Sequence, residues 1–184
     1  MNDWTIHTLR RGVVHVTRAE RVYPTLPDGS VSLIISDGPY GLSKAAWDRQ
    51  RGEDGLREWY RPHVEAWGRV CAPAASVYVW GTDDSASALR PLMREHGWTK
   101  RVRVTWEQQR HPALIGWRGL TCWADTSEVC DVWTRGAPSF TSPGPQSSVW
   151  RVPFSDADAE RLKSGTVAAG RMASHPATEQ PLHP

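Results

Sequence analysis

The chain has 184 residues, of which 39% are hydrophobic and 23% are charged, and its formal net charge is +2. This size and composition are typical of one soluble globular domain, and so small a net charge does not by itself indicate a nucleic-acid partner. Three cysteines without a CxxC pair indicate neither a disulfide framework nor a zinc site, and no apolar run is long enough to span a membrane. These features favour a cytoplasmic protein with neither a metal nor a membrane partner.

The first part of the chain predicts a buried strand and a helix behind a short lead-in. Residues 5–16 mix apolar and polar side chains, which favours one or two short strands, and residues 18–26 favour a short helix or turn. The apolar run at 31–36 follows a Pro-Asp-Gly turn and predicts a buried strand. Apolar residues recur at helical spacing over 55–66, where Pro62 predicts a kink or a second helix start.

Strands and a helix continue to alternate in the middle of the chain. Residues 76–80 form an apolar run that is typical of a strand. Residues 81–84 then offer an N-cap for a helix in which Pro91 predicts a kink. Alternating apolar residues predict two further strands, at 101–106 and 128–134. This order of elements predicts an α/β fold with a parallel sheet.

The composition changes after residue 136. Residues 137–148 are rich in Pro, Ser and Gly, and one short helical candidate follows at 156–163. We therefore expect a loop-rich segment over 137–174, because long connections of this kind are usually functional or disordered.

The most informative residues are Asp37, Gly38, Pro39 and Tyr40, which directly follow the predicted strand at 31–36. Ligands of α/β proteins bind at the carboxyl edge of the sheet, where such a strand ends. At that edge a carboxylate and a backbone carbonyl can accept the protons of a planar amine, while an aromatic ring stacks on the group that carries it. The same four residues on their own are also typical of an ordinary surface turn.

Residues 26–41, LPDGSVSLIISDGPYG, resemble the signature segment of DNA amino-methyltransferases, which methylate adenine at N6 or cytosine at N4. Three later segments resemble those of the same enzymes in the same order, namely 56–81, 126–136 and HPATEQPL at 175–182. No glycine-rich cofactor loop precedes Asp37. This order resembles the permuted subclass, in which the catalytic half comes first, and it disfavours the related enzymes that methylate protein glutamine.

The resemblance implies a Rossmann-like methyltransferase sheet with helices on both faces, which we expect to be incomplete. It implies methyl transfer from S-adenosyl-L-methionine to double-stranded DNA. Residues 1–136 would form the catalytic half, 137–174 a target-recognition segment, and 175–184 a His-Pro motif that leads to a cofactor-binding half. The alternative is an inactive or split fragment that binds only DNA or a partner chain, with a complementing chain or a second copy covering the open edge of the sheet.

The resemblance also assigns roles to single residues. Asp37 and the Gly38 carbonyl would accept hydrogen bonds from the exocyclic amine, Pro39 would stiffen the turn, and Tyr40 would stack on the extruded base. Cofactor contacts would come from Asp37, His175, Pro176 and Thr178, and DNA contacts from Arg135, Arg151, Arg161 and Arg171.

The chain departs from the family pattern at two of these motifs. Gly38 stands where the family has proline, and a glycine keeps the carbonyl acceptor while loosening the turn. The His-Pro motif is one residue longer than the family's and has Gln180 in place of a lysine.

Overall fold

The computed structural model of the protein describes residues 4–42, 46–49, 52–108, 127–140 and 146–152. Strands and helices alternate over most of this length, as the hydrophobic pattern predicts. The strands are β1 (Thr5–Leu9), β2 (Gly12–Val16), β3 (Val31–Asp37), β4 (Cys71–Gly81), β5 (Thr99–Gln108), β6 (Ser127–Arg135) and β7 (Val149–Val152). The helices are α1 (Ala19–Val22), α2 (Gly52–Val70) and α3 (Asp83–Glu95), and a 3-10 turn (Tyr23–Thr25) follows α1.

The main sheet has five strands in the order β3-β4-β6-β5-β7, and β1 and β2 form a separate antiparallel pair. Strand β3 is parallel to β4 and β7 is parallel to β5, but β6 is antiparallel to both of its neighbours. The prediction of an all-parallel sheet is therefore wrong. Helix α3 connects β4 to β5 as a parallel crossover that leaves a gap of one strand between them, and β6 fills this gap in the reverse direction.

The larger hydrophobic core lies between one face of the sheet and the helices α2 and α3. Buried residues of α2 recur every three or four positions, so that one side of this helix faces the sheet. The core is formed by Tyr60, Val64, Trp67 and Val70 of α2, Leu89, Leu92 and Met93 of α3, Val77 and Val79 of β4, and Trp133 of β6, with neighbouring side chains.

The opposite face of the sheet holds a smaller cluster. Strand residues that alternate with those of the larger core form it, namely Trp80, Val104, Cys130 and Val132. The resemblance implies helices on both faces of the sheet, and of the described helices α2 and α3 pack on the same face. Leu33 and Ile35 of β3 are exposed on the face without these helices.

Two prolines lie inside helices without dividing them. Helix α2 runs through Pro62 as one element, so that the expected second helix start is not found there, and α3 runs through Pro91. Both prolines are exposed, so the carbonyl groups that they leave without a donor can bond to water. The predicted N-cap of α3 is confirmed, because the Thr82 side chain accepts a hydrogen bond from the backbone N–H of Ser85.

Candidate active site

The segment Asp37–Tyr40 begins at the carboxyl end of β3. In the parallel register Asp37 pairs with Trp80 of β4, so both strands end at this edge of the sheet. Asp37 is exposed, Pro39 is buried and Tyr40 is half-buried. The carboxylate therefore reaches solvent, while the turn behind it is fixed in the protein.

The Tyr40 phenol lies between two carboxylates. Its hydroxyl oxygen is 2.9 Å from Oδ1 of Asp37 and 3.4 Å from Oε2 of Glu128, at the start of β6. Burial, followed by the negative charges of Glu128 and Asp37, raises the pKa of Tyr40 above its usual value. The phenol therefore stays protonated and donates its one hydrogen bond to one carboxylate at a time.

A buried carboxylate fixes the backbone after Tyr40. Asp48 accepts hydrogen bonds from the backbone N–H groups of Tyr40 at 2.8 Å, Gly41 at 2.7 Å and Leu42 at 3.1 Å. Its side chain is buried, and a charge away from water is tolerated where several donors surround it. Asp48 thus anchors the turn that carries the phenol.

Gly38 lies against α2 so closely that no side chain fits. A Cβ atom at this position would lie 2.6 Å from the hydroxyl oxygen of Tyr60 and 3.1 Å from the ring of Trp59. Tyr60 is fully buried, and its hydroxyl has no hydrogen-bond partner among the described residues. A proline at this position, as in the signature that the segment resembles, would place its Cβ atom in the space that Tyr60 occupies.

A cavity of about 380 Å³ lies between β3, α2 and the α1 segment, with Asp37, Gly38 and Trp59 in its wall. Inside it, the Tyr23 hydroxyl is 3.0 Å from Nδ1 of His63 and accepts a hydrogen bond from the Trp67 indole at 3.1 Å. Burial lowers the pKa of His63, which Glu20 partly opposes. The cavity wall is therefore mainly apolar, with a neutral imidazole inside and a carboxylate at one end.

Three tryptophans form an aromatic wall on the sheet face that Glu128 shares. The rings of Trp80 and Trp106 are 6.2 Å apart, centroid to centroid, and those of Trp80 and Trp150 are 5.8 Å apart. Trp150 is exposed. These rings come from β4, β5 and β7, and the strand register brings them together.

Of the predicted DNA-contacting arginines, Arg135 lies away from this site and Arg151 follows Trp150 on the edge strand β7, whereas the other two lie outside the described residues. Arg135 ends β6 at the opposite edge of the sheet, where its guanidinium donates to the backbone carbonyls of Gly68 and His96 and lies over the Trp98 ring. Arg151 is exposed on β7 and is paired with Glu107. Outside the described residues lie Arg161, Arg171, His175, Pro176 and Thr178.

Sequence reasoning missed three residues that the structure adds to the site, namely Asp48, Tyr60 and Glu128. Glu128 lies in a predicted strand, but it is distant from Tyr40 in the chain, and only the register of β6 brings the two together. Tyr60 has the spacing of an ordinary core residue. No sequence pattern points to Asp48.

The described residues show neither a metal-binding cluster nor a membrane-spanning helix. In the part of the chain that the structure describes, no group of His, Cys, Asp and Glu side chains is arranged to hold a metal ion. None of the described helices has the length and apolar character needed to cross a membrane.

Solved structures of DNA methyltransferases have a similar fold. The cytosine-N4-specific PvuII DNA methyltransferase superimposes with a TM-score of 0.59 at 14% identity, over 82% of this chain and 60% of that one. TTHA0409 of Thermus thermophilus, a provisionally assigned DNA modification methylase, gives a TM-score of 0.52 at 18% identity, over 79% of this chain and 71% of that one. The chain has the fold of these methyltransferases.

The predicted Rossmann-like methyltransferase fold is thereby confirmed, with a mixed sheet. The same Thermus protein, solved in complex with S-adenosyl-L-methionine, gives a TM-score of 0.53 at 16% identity, over 78% of this chain and 70% of that one. No protein-family model matches the chain, and no curated protein matches it in sequence. The chain spans 60% of the PvuII enzyme.

Proposed function

We propose that the protein is a DNA methyltransferase that transfers a methyl group from S-adenosyl-L-methionine to the exocyclic amine of adenine or cytosine. The observation that carries this proposal is the position of Asp37–Tyr40 on the methyltransferase fold. An exposed carboxylate and a protonated phenol, 2.9 Å apart, stand at the carboxyl end of a parallel strand. This is where α/β proteins bind their ligands.

Asp37 and Gly38 are the groups that would hold the amine. The carboxylate and the Gly38 carbonyl each accept one of its hydrogen bonds, which draws the nitrogen lone pair out of conjugation with the ring. As the nitrogen becomes more acidic during transfer, Asp37 is placed to take its proton. Positioning and electrostatic stabilisation of this kind supply most of the rate enhancement in such reactions.

Tyr40 and Glu128 would act together when the base arrives. The phenol and the amine compete for Asp37, and Glu128 offers the phenol a second acceptor. Extruding the base from the duplex costs a few kcal/mol, and stacking on the Tyr40 ring returns about 1–3 kcal/mol. The ring thus helps to offset the cost of base extrusion.

The described residues fit one side of a cofactor site. Asp37 supplies a carboxylate for a cationic sulfonium group, and Trp59 supplies a ring in the same cavity wall for an adenine. S-adenosyl-L-methionine supplies an electrophilic methyl group when bound. We assign its remaining contacts to His175, Pro176 and Thr178, and we assign DNA contacts to Arg151, Arg161 and Arg171.

A second function is favoured by the edge of the sheet. Strand β3 has one neighbour, β4, in the described part of the chain, and Leu33 and Ile35 beside that edge are 50% and 64% exposed. An edge of this kind can pair with another chain. The alternative is therefore a split or inactive methyltransferase that binds DNA or a complementing chain.

The chemistry is tested by incubating the full chain with methyl-labelled S-adenosyl-L-methionine and duplex DNA, followed by digestion to nucleosides. The proposal predicts label in N6-methyladenine or N4-methylcytosine and none in a glutamine-containing peptide control. Label in the peptide alone would contradict it.

Calorimetric titration separates the two functions. Saturable binding of S-adenosyl-L-methionine by the isolated chain would favour the enzyme over the fragment. No binding by the isolated chain, with binding restored by a complementing chain, would favour the split arrangement.

A further inference from the structure

The hairpin of β1 and β2 carries almost no buried surface. Nine of its ten strand residues are exposed, and His15 is half-buried. The Trp4 indole donates a hydrogen bond of 3.0 Å to Nδ1 of His15. Because an isolated two-stranded hairpin is only marginally stable in water, this element is suited to gaining contacts from a partner.

The charged side chains in and next to the hairpin are all positive. Arg10 and Arg11 form the turn between the strands, Arg18 follows β2, and all three are exposed. Residues 4–18 contain no Asp or Glu. None of these three arginines makes an ion pair with a described residue. By contrast, Arg69 and Arg103 on the body of the protein are paired with carboxylates.

The contacts of the segment that follows the hairpin show at which side of the sheet the hairpin is attached. Along the chain, Glu20 lies near His63, Tyr23 contacts Trp67, and the Leu26 carbonyl accepts from Arg69. This segment therefore runs beside α2 away from the Asp37 edge of the sheet. The hairpin precedes this segment in the chain, so the end of β2 is joined to it on the Asp37 side, where Ala19 and Asp37 line the same cavity.

We propose that the hairpin Thr5–Val16 and the adjoining Arg18 bind the phosphate backbone of duplex DNA, with Arg10, Arg11 and Arg18 as the contacts. This inference rests on the proposed function, which places DNA at the Asp37 edge. A two-stranded ribbon fits the major groove of B-form DNA, and arginines at its tip neutralise phosphates. The hairpin thus orients the duplex, while Asp37 and Tyr40 receive the extruded base.

The test compares two double variants that remove the same charge. Arg10→Gln/Arg11→Gln alters the hairpin turn, and Arg94→Gln/Arg101→Gln alters two exposed arginines at the opposite edge of the sheet. Binding of the full chain to a fluorescent duplex is measured by anisotropy over a series of salt concentrations. Thermal melting checks that both variants are folded.

The hairpin variant is expected to bind DNA at least about tenfold more weakly at ~0.1 M salt, with a salt slope smaller by about 2. The control variant and Arg10→Lys/Arg11→Lys should stay close to wild type. Two results would overturn the inference. The first is an equal loss of DNA affinity in Arg10→Gln/Arg11→Gln and Arg94→Gln/Arg101→Gln, and the second is no DNA binding by the wild-type chain. Failure of the hairpin and failure of the methylation chemistry give different results, because the first is measured as the difference in DNA affinity between the two double variants and the second as label transferred to DNA by the wild-type chain.

Discussion

At the scale of single residues, Gly38 and Tyr60 constrain each other. Gly38→Ala should lower the free energy of unfolding by about 1–3 kcal/mol, because the new methyl group meets the Tyr60 hydroxyl at 2.6 Å. Tyr60→Phe removes that hydroxyl, which has no partner among the described residues. The double variant should therefore recover most of the loss in a urea titration. If the loss of unfolding free energy in the double variant equals the sum of the losses in the two single variants, the contact between Gly38 and the Tyr60 hydroxyl does not affect stability.

His63 should make stability depend on pH. Burial lowers its pKa in the folded state below the ordinary value of 6.5, so the unfolded state binds more protons when the pH falls below that value. The contribution of His63 is fully present above about pH 6.5 and declines as the pH falls toward the folded-state pKa.

Urea titrations at pH 7.5 and 5.5 measure this effect. His63→Gln should flatten the pH dependence of the unfolding free energy, whereas His7→Gln on exposed β1 should leave it as in wild type. The same slope in wild type and His63→Gln would contradict the role of His63.

At the scale of elements, the Asp131 side chain links strand β6 to strand β5. Its buried carboxylate accepts hydrogen bonds of 2.8 Å from Arg103 and Lys100 of β5. Burial alone would raise the pKa of Asp131, but these hydrogen bonds outweigh burial, and the pKa is lowered. Arg90 of α3 also lies 3.7 Å from this carboxylate. A buried carboxylate that is paired with three cations is costly to remove, because its partners are left uncompensated.

Asp131→Asn should therefore lower the free energy of unfolding by about 3 kcal/mol. This is the lower end of the range for buried pairs, because the three cations are partly exposed. The exposed Asp83, which also pairs with Arg103, is the matched control. Asp83→Asn should change stability by less than about 1 kcal/mol. Similar losses from the two variants in chemical denaturation would argue against a buried network.

Local patterns predicted the elements better than their arrangement. The spacing of apolar residues indicated β3, β4, β5, β6, α2 and α3, because periodicity is encoded in neighbouring residues. The direction of β6 was not predictable, since it depends on which gap in the sheet the strand fills. Strand β7 was missed as well. It lies in a segment whose Pro, Ser and Gly content favours loops, and it is stabilised by pairing with β5.

At the scale of the whole molecule, the site combines segments that are far apart in the chain. The sequence indicated Asp37 and Tyr40 because they directly follow a strand. It could not indicate Glu128, which reaches Tyr40 only through the strand order β3-β4-β6. Tyr60 and Asp48 were not predicted for the same reason, because their importance depends on contacts rather than on residue type.

The fold also separates the charges of the molecule. The carboxylates of Asp37 and Glu128 lie around the candidate site, whereas the hairpin carries exposed arginines and no carboxylate. A polyanionic substrate would be repelled by the site and attracted by the hairpin. This arrangement favours a substrate whose phosphates are held at a distance while a neutral base enters.

The proposed function requires the Asp37 carboxylate to accept a hydrogen bond from the amine that receives the methyl group. The most direct measurement is the rate of methyl transfer from labelled S-adenosyl-L-methionine to duplex DNA by the full chain and by Asp37→Asn, at matched DNA binding. Removal of one such acceptor should slow transfer by a factor of about 100 or more. Equal rates for the wild type and Asp37→Asn would contradict the account.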